Sequence, residues 1–286
     1  MKLLIESIDK NFSIYKNKVD GVILALENFS VSSFSYYNIS EIKDIVNTGD
    51  FSEYFVIINK NIYDKDISLL ESLMIELDKI GVTGIFFYDQ ALIEIKKRLN
   101  LSVDLVWNQT HMVTNYKTCN YYFENGINYG VLSKEICLED IVEIKNNTKM
   151  KLMCEVAGRF CIAFTRRSLV SNYSKDSGEV SDDLLELDEI VSKKKYICRE
   201  EDLGNSFYTG EVINGLSAIN ELYSCNMDYI IIRGFGIDCF SELISDTFEY
   251  INSLCSDSNY LLKYDKLGSN SGFFYKKTIF KVKKNG

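Results

Sequence analysis

A chain of 286 residues with 46% hydrophobic and 26% charged residues is long enough and apolar enough for a sizeable core, which excludes a largely disordered protein. A net charge of −9 excludes a broad basic face that coats nucleic acid, while leaving room for a local basic groove. The eight Cys form no CxxC pair, so their spacing signals neither a zinc site nor a disulfide framework, and with no Pro in the chain the turns fall to Gly, Asn, Asp and Ser.

In chain order, short β-branched or aromatic runs alternate with helical patterns. Strands are predicted over 2–7, 21–27, 54–59, 84–89, 103–108, 128–133 and 151–157, with an eighth over 227–235. Helices are predicted over 38–48 behind an Asn38 or Ser40 cap, 68–81 ending at Gly81, 91–99, 114–126, 136–147, 211–225 and 241–254. Residues 174–210 are acidic, then basic, without clear period, and 272–284 alternate like a lone strand. The opening MKLLIESIDKNF is too soon charged for a secretory signal, and no window approaches the ~18 apolar residues of a membrane span, so a cytoplasmic protein with no membrane association is expected.

Eight βα units in about 255 residues predict an α/β fold, a TIM-like (β/α)8 barrel over 1–255 with a polar insertion (174–210) after strand 7 and a C-terminal extension over 256–286. Function on this architecture sits at the carboxyl ends of the strands. The polar residues there are Glu6, Glu27, Asn59, Asp89, Asn108 with Gln109, Lys134 with Glu135, Glu155 and Arg233. Each is equally a helix N-cap candidate.

Three of the six Arg, namely Arg159, Arg166 and Arg167, lie within nine positions just after the seventh strand. The guanidinium fork matches carboxylate and phosphate, so this concentration points to an anion held in defined geometry, unless these Arg pair with the chain's own acids. His111 is the only His. It leaves no Ser-His-Asp triad or HExxH to argue, and only a formal dyad with Cys161.

The segment EVAGRFCIAFTRRSLVSNY (155–173) resembles the signature of peptidase family U-32, the collagenase-like proteins. The block from Trp107 to Ile144 is similar to that family's strand-five to helix-six region, with Gln109, Asn115, Gly126, Leu132 and Glu135 at matching places, and NMDYIIIRGFG resembles its eighth-strand segment. Arg167, Ser168, Leu169, Asn172 and Tyr173, with the SGFFYKK stretch at 271–277, are most similar to a short, cysteine-poor subgroup.

The resemblance implies a bacterial protein taking part in tRNA hydroxylation, forming 5-hydroxyuridine at the wobble position together with a longer, cluster-bearing paralogue. Relatives implicate prephenate, or a similar dicarboxylate, as oxygen source. It also implies orienting or catalytic roles for Gln109, Glu135 and Glu155, and binding of anionic substrate or RNA by Arg159, Arg166, Arg167, Asn172 and Arg233, with Asn59 and Asp89 alongside. Iron–sulfur members carry four Cys ligands, and only Cys161 clearly matches. Ser168 stands at the second position, Asn214 near the fourth, and Cys198 aligns loosely, while Ala157 replaces the motif His. No cofactor is therefore expected in this chain alone, a cluster being available only through a partner. The alternatives are a collagenase-like peptidase and a non-catalytic scaffold derived from an iron–sulfur hydroxylase.

Overall fold

A computed structural model describes residues 1–178, 184–191, 193–254, 256, 260 and 263–277. Eight parallel strands close into a barrel: β1 (Lys2–Glu6), β2 (Gly21–Leu26), β4 (Glu53–Ile58), β5 (Gly84–Phe87), β6 (Asp104–Trp107), β7 (Tyr129–Val131), β8 (Lys151–Gly158) and β14 (Tyr229–Arg233). Each pairs with its neighbour around the ring, and β14 and β2 flank β1 to complete it. A two-residue strand, β3 (Tyr36–Tyr37), extends the edge of β2.

The strands read as unbroken apolar runs because both of their faces are buried. Along β1, Leu4 points into the barrel while Leu3 and Ile5 face the helices, and along β4 Phe55 and Ile57 point in while Val56 and Ile58 point out. The outward residues pack under α1 (Ile39–Thr48), α2 (Ile67–Ile80), α3 (Ala91–Leu99), α4 (Tyr116–Glu124) and α5 (Leu138–Asn146). Local chemistry sets the helix ends. Asn38 and Glu41 form a capping box at the start of α1, and Gly81 closes α2 in the left-handed conformation.

After β8 the chain leaves the barrel. A second, antiparallel sheet has the order β10 (Leu184–Asp188), β11 (Lys195–Glu201), β12 (Gly204–Thr209), β9 (Cys161–Thr165), with α6 (Leu169–Ser177) between β9 and β10. The polar stretch expected as an insertion thus carries strands, and its sheet is completed by β9, upstream of residue 174.

Two local expectations are corrected. Residues 211–225 are not one helix: β13 (Ile213–Asn214) pairs antiparallel with the end of β8, a 3-10 turn follows, and only α7 (Ile219–Ser224) is α-helical. The cause is Asn214, whose amide donates to the carbonyls of Tyr264 and Gly268 and so holds this segment extended against the C-terminal part of the chain. The lone strand expected over 272–284 is a turn through residues 272–275, and 278–284 lie outside the described residues. The last long helix, α8 (Phe240–Asn252), covers the outside of β14 and β1 through Leu243, Ile244 and Tyr250.

Candidate active-site cavity

Four charged side chains meet at the carboxyl end of the barrel. Glu6 and Arg233 end β1 and β14 and are partners in register, which makes their ion pair a cross-strand contact. On the other side of β14, Arg233 Nε and Nη2 lie 2.9 and 2.5 Å from Glu155 Oε1, and Lys134 Nζ lies 2.8 Å from Glu155 Oε2. A bulge between β14 and β8 shifts the register here, so that Ile231 faces Glu155 and Ile232 faces Ala157. Bulges of this kind re-aim side chains next to functional sites.

The Glu155 side chain is 1% exposed and those of Arg233 and Lys134 are 16% exposed. Burial pulls the Arg233 guanidinium down to about 10, still far above neutral pH, so it remains a cation. The row Glu6, Arg233, Glu155, Lys134 carries two charges of each sign and is neutral as a whole.

Gly158 makes the exit from β8 possible. Its φ is +126°, and a Cβ there would stand 2.6 Å from the Arg233 carbonyl oxygen. The next residue, Arg159, donates through Nη1 to the carbonyl of Gly210.

Above this floor, Phe34 and Phe235 stack with ring centroids 3.9 Å apart, and the edge of Tyr208 meets Phe235 at 5.0 Å. Arg199 covers Phe34 at 4.3 Å and Arg159 covers Phe235 at 5.8 Å, which gives a layered column of two rings and two guanidinium groups. The second sheet is latched to the loop after β2 by Glu201. Its carboxylate accepts from Tyr36 Oη at 2.9 Å and Ser32 N at 3.1 Å and pairs with Arg199. Ser32 holds a left-handed φ of 63°, which aims its N–H at that carboxylate.

Floor, column and latch enclose a cavity of about 430 Å³, within the roughly 300–1,000 Å³ of small-molecule sites. Of the residues singled out in the sequence, Asn59, Glu155, Arg159 and Arg233 line it, as do Glu6, Asn108, Lys134, His111 and Cys161. Asn59 exchanges two hydrogen bonds with the Val31 backbone, which shapes the wall.

The others lie elsewhere. Gln109 accepts from Trp107 Nε1 and donates to the Tyr88 carbonyl, so its amide braces the loop beneath the rim. Asp89 accepts from Ala91 N and Ile62 N, as a cap at the start of α3. Glu135 is exposed, 3.7 Å from His111 Nδ1. Glu27 and Asn172 are exposed, as are Arg166 and Arg167 at the turn between β9 and α6. Arg166 lies over the Tyr63 ring at 4.5 Å, in a side cleft of about 100 Å³.

Sequence reasoning missed Phe34, Phe235, Tyr208 and Ser32. The one available signal was position, since Phe235 follows the last barrel strand and Phe34 lies in the long loop after β2.

Neither of two familiar chemistries has its residues in place. The Cys161 thiol lies 3.3 Å from both Ser32 Oγ and the Ala163 carbonyl rather than engaging His111, and burial pushes its pKa up, away from a reactive thiolate. The residues matching the family's cluster ligands do not fit a four-thiolate donor set. Cys161 pairs with Tyr208 on one side of β12, while Cys198 sits across from Phe207 and bonds Asn205, on alternate positions of that strand and so on its opposite face. Ser168 stands at the N-cap position of α6 without a side-chain capping bond and offers a hydroxyl in place of a thiol, and the Asn214 amide is engaged by two carbonyls. Among the described residues no group of three or more His, Cys, Asp or Glu is placed to hold a metal ion, and no helix is long and apolar enough to cross a membrane.

The chain is 28% identical over 193 residues to tRNA hydroxylation protein P2 of Bacillus subtilis (strain 168), covering 66% of this chain and 60% of that protein. It is 24% identical over 157 residues to tRNA hydroxylation protein P1 of the same organism, covering 54% of this chain and 37% of that one. Among solved structures, thiamine phosphate pyrophosphorylase from Pyrococcus furiosus overlaps 88% of this chain and 96% of its own at 9% identity and a TM-score of 0.48. The sequence model of Peptidase family U32 matches residues 6–235, from the carboxylate that ends the first barrel strand to the ring that follows the last, and the chain belongs to that family.

Proposed function

We propose that this protein takes part in tRNA hydroxylation, converting a wobble uridine to 5-hydroxyuridine, and that its own share of the work is binding and orienting the RNA. The observation that carries this reading is the similarity to two proteins named for tRNA hydroxylation, in a chain whose family match, residues 6–235, spans the cavity lining.

Adding oxygen to a pyrimidine ring is an oxidation and needs a redox group. Because Cys161 and Cys198 are divided between two faces of a strand, and Ser168 and Asn214 stand where the family offers Cys, the redox group is assigned to a longer paralogue acting alongside this chain. Glu155, fixed between Arg233 and Lys134, is a positioning residue that keeps the cavity floor rigid. A peptidase reading draws no support from the cavity, whose thiol is buried and bonded to Ser32.

Nucleoside mass spectrometry of tRNA from a deletion strain tests the proposal. Loss or marked reduction of 5-hydroxyuridine, restored by the gene in trans, is the expected outcome. Unchanged 5-hydroxyuridine in a strain lacking both this chain and the paralogue would sink it.

A further inference from the structure

The cations of this mouth fall into two classes. Inside the cavity, Arg233 lies between Glu6 and Glu155, Lys134 is paired with Glu155, and Arg159 donates to a backbone carbonyl. The charges of Arg233 and Lys134 are already matched and Arg159 is tied to neutral carbonyls of its own chain, so a dicarboxylate would have to displace a buried ion pair or that hydrogen bond to bind there.

The unmatched cations lie next door. Arg166 and Lys65 make no hydrogen bond or ion pair among the described residues, and both line the side cleft together with Lys60 and Tyr63. Lys60 is shared between Asp66, at 3.4 Å, and the face of Phe29. The cleft and the cavity are neighbours, with Val31, Asn61 and Phe164 lining both.

A space whose buried acids and bases balance apart from Arg159, walled by aromatic rings and flanked by a cationic notch about a quarter of its size, matches one ligand shape, an uncharged ring joined to a phosphate. Tyr88, 43% exposed, stands at the cavity rim where a planar group would pass. Buried Asn108 lines the interior, and exposed Asn61 the wall shared with the cleft, each with both donor and acceptor capacity, as reading the edge of a base requires.

We propose that a single nucleotide of the RNA is drawn out of its strand, its base entering the 430 Å³ cavity and its phosphate seated in the notch formed by Lys60, Lys65 and Arg166. This deepens the function proposed above and rests on that reading for the identity of the polymer. Arg166 contributes a planar fork to the phosphate, preset by stacking on Tyr63, and Lys65 a point charge. Exposed Arg167 continues the cationic track along the strand.

Calorimetric titration of the whole protein with uridine 5′-monophosphate and with uridine tests the geometry. The monophosphate is expected to bind at least about tenfold more tightly, and the K65A/R166A variant to lose that difference while binding uridine as the wild type does. Neither side chain makes a hydrogen bond or ion pair among the described residues and both are exposed, so the variant loses only the Arg166–Tyr63 contact and should melt close to the parent. Asn108→Leu should weaken both ligands. Equal affinity for the two ligands in the wild type, or a variant that retains the preference, overturns the proposal. The two readings separate cleanly. If a strain lacking both this chain and the paralogue keeps its 5-hydroxyuridine while the monophosphate preference behaves as stated, the function fails and the pocket stands. If the modification is lost while the two ligands bind alike, the pocket fails and the function stands.

Discussion

Arg233 and Glu155, on adjacent barrel strands, share two hydrogen bonds to one carboxylate oxygen, which the guanidinium reaches although the register sets Ile231, not Arg233, opposite Glu155. Removing the carboxylate leaves Lys134 unpaired and Arg233 with Glu6 alone. Glu155→Ala should therefore cost about 3–5 kcal/mol, the usual range for breaking a buried pair from one side. Glu155→Gln should cost less, since it keeps an acceptor. Urea unfolding followed by circular dichroism measures both, and a loss below about 1 kcal/mol in the Ala variant would show that the network contributes little.

Gly158 is the hinge on which the chain turns from barrel to second sheet. Gly158→Ala combines a φ of +126° with a Cβ 2.6 Å from the Arg233 carbonyl oxygen. The conformation alone costs about 1–3 kcal/mol, and relieving the clash should move Arg233 away from Glu155. The expected outcome is a lower melting temperature together with weakened uridine binding. A variant that melts and binds like the parent would mean that the backbone relaxes freely here.

The barrel was legible in the sequence because its signal is local. Parallel strands buried on both faces give unbroken runs such as Tyr54 to Ile58, and Asn38 and Gly81 mark helix ends by the conformations they adopt. The second sheet was not legible. Its strands are half-exposed and held to the barrel by polar groups such as Glu201 and Arg199, which have no period to read. The site followed the same division. Glu6, Glu155 and Arg233, picked out as strand ends, and Arg159, picked out by the concentration of Arg after the seventh strand, do line the cavity. Gln109 and Asp89 share those positions, yet their side chains serve neighbouring backbone and ring groups. Phe34, Phe235 and Tyr208 meet only through long-range packing.

Those three aromatics carry the third prediction. Phe235→Ala removes the ring on which Phe34, Tyr208 and Arg159 converge. Loss of stacking and of part-buried area should cost about 2 kcal/mol. The cost should fall unevenly. In hydrogen exchange, amides of 195–209 should lose protection while those of β4 and β5 keep theirs. Uniform loss would show that the second sheet unfolds only with the barrel.

Burial holds the Cys161 thiol protonated at neutral pH, with Ser32 and the Ala163 carbonyl as its partners. Alkylation by iodoacetamide should accordingly be slow compared with a free thiol. Cys161→Ser should leave tRNA 5-hydroxyuridine close to the parental level in a complemented deletion strain. Loss of the modification with normal folding would return the thiol to the chemistry.

The latch between sheet and barrel should depend on pH, with a sign that follows from its surroundings. Burial raises the Glu201 carboxyl above its ordinary value near 4.5, a shift opposed by the Ser32 N–H, the Tyr36 hydroxyl and Arg199 and reinforced by Asp202. A carboxyl whose folded pKa lies above its unfolded one contributes stability that is fully present below the unfolded value and is lost as pH rises through the folded value. Of the groups facing it, the Tyr36 and Tyr208 hydroxyls and the Cys161 thiol are all raised, so none of these three titrates across this window. Glu201→Gln imitates the protonated form. The variant should be more stable than the parent at neutral pH, and its advantage should shrink as pH falls toward 4.5. Urea midpoints of the two proteins, measured between about pH 4.5 and 7.5, read the difference directly. An advantage that grows with acidity would mean that the ion pair with Arg199 outweighs the burial of the charge.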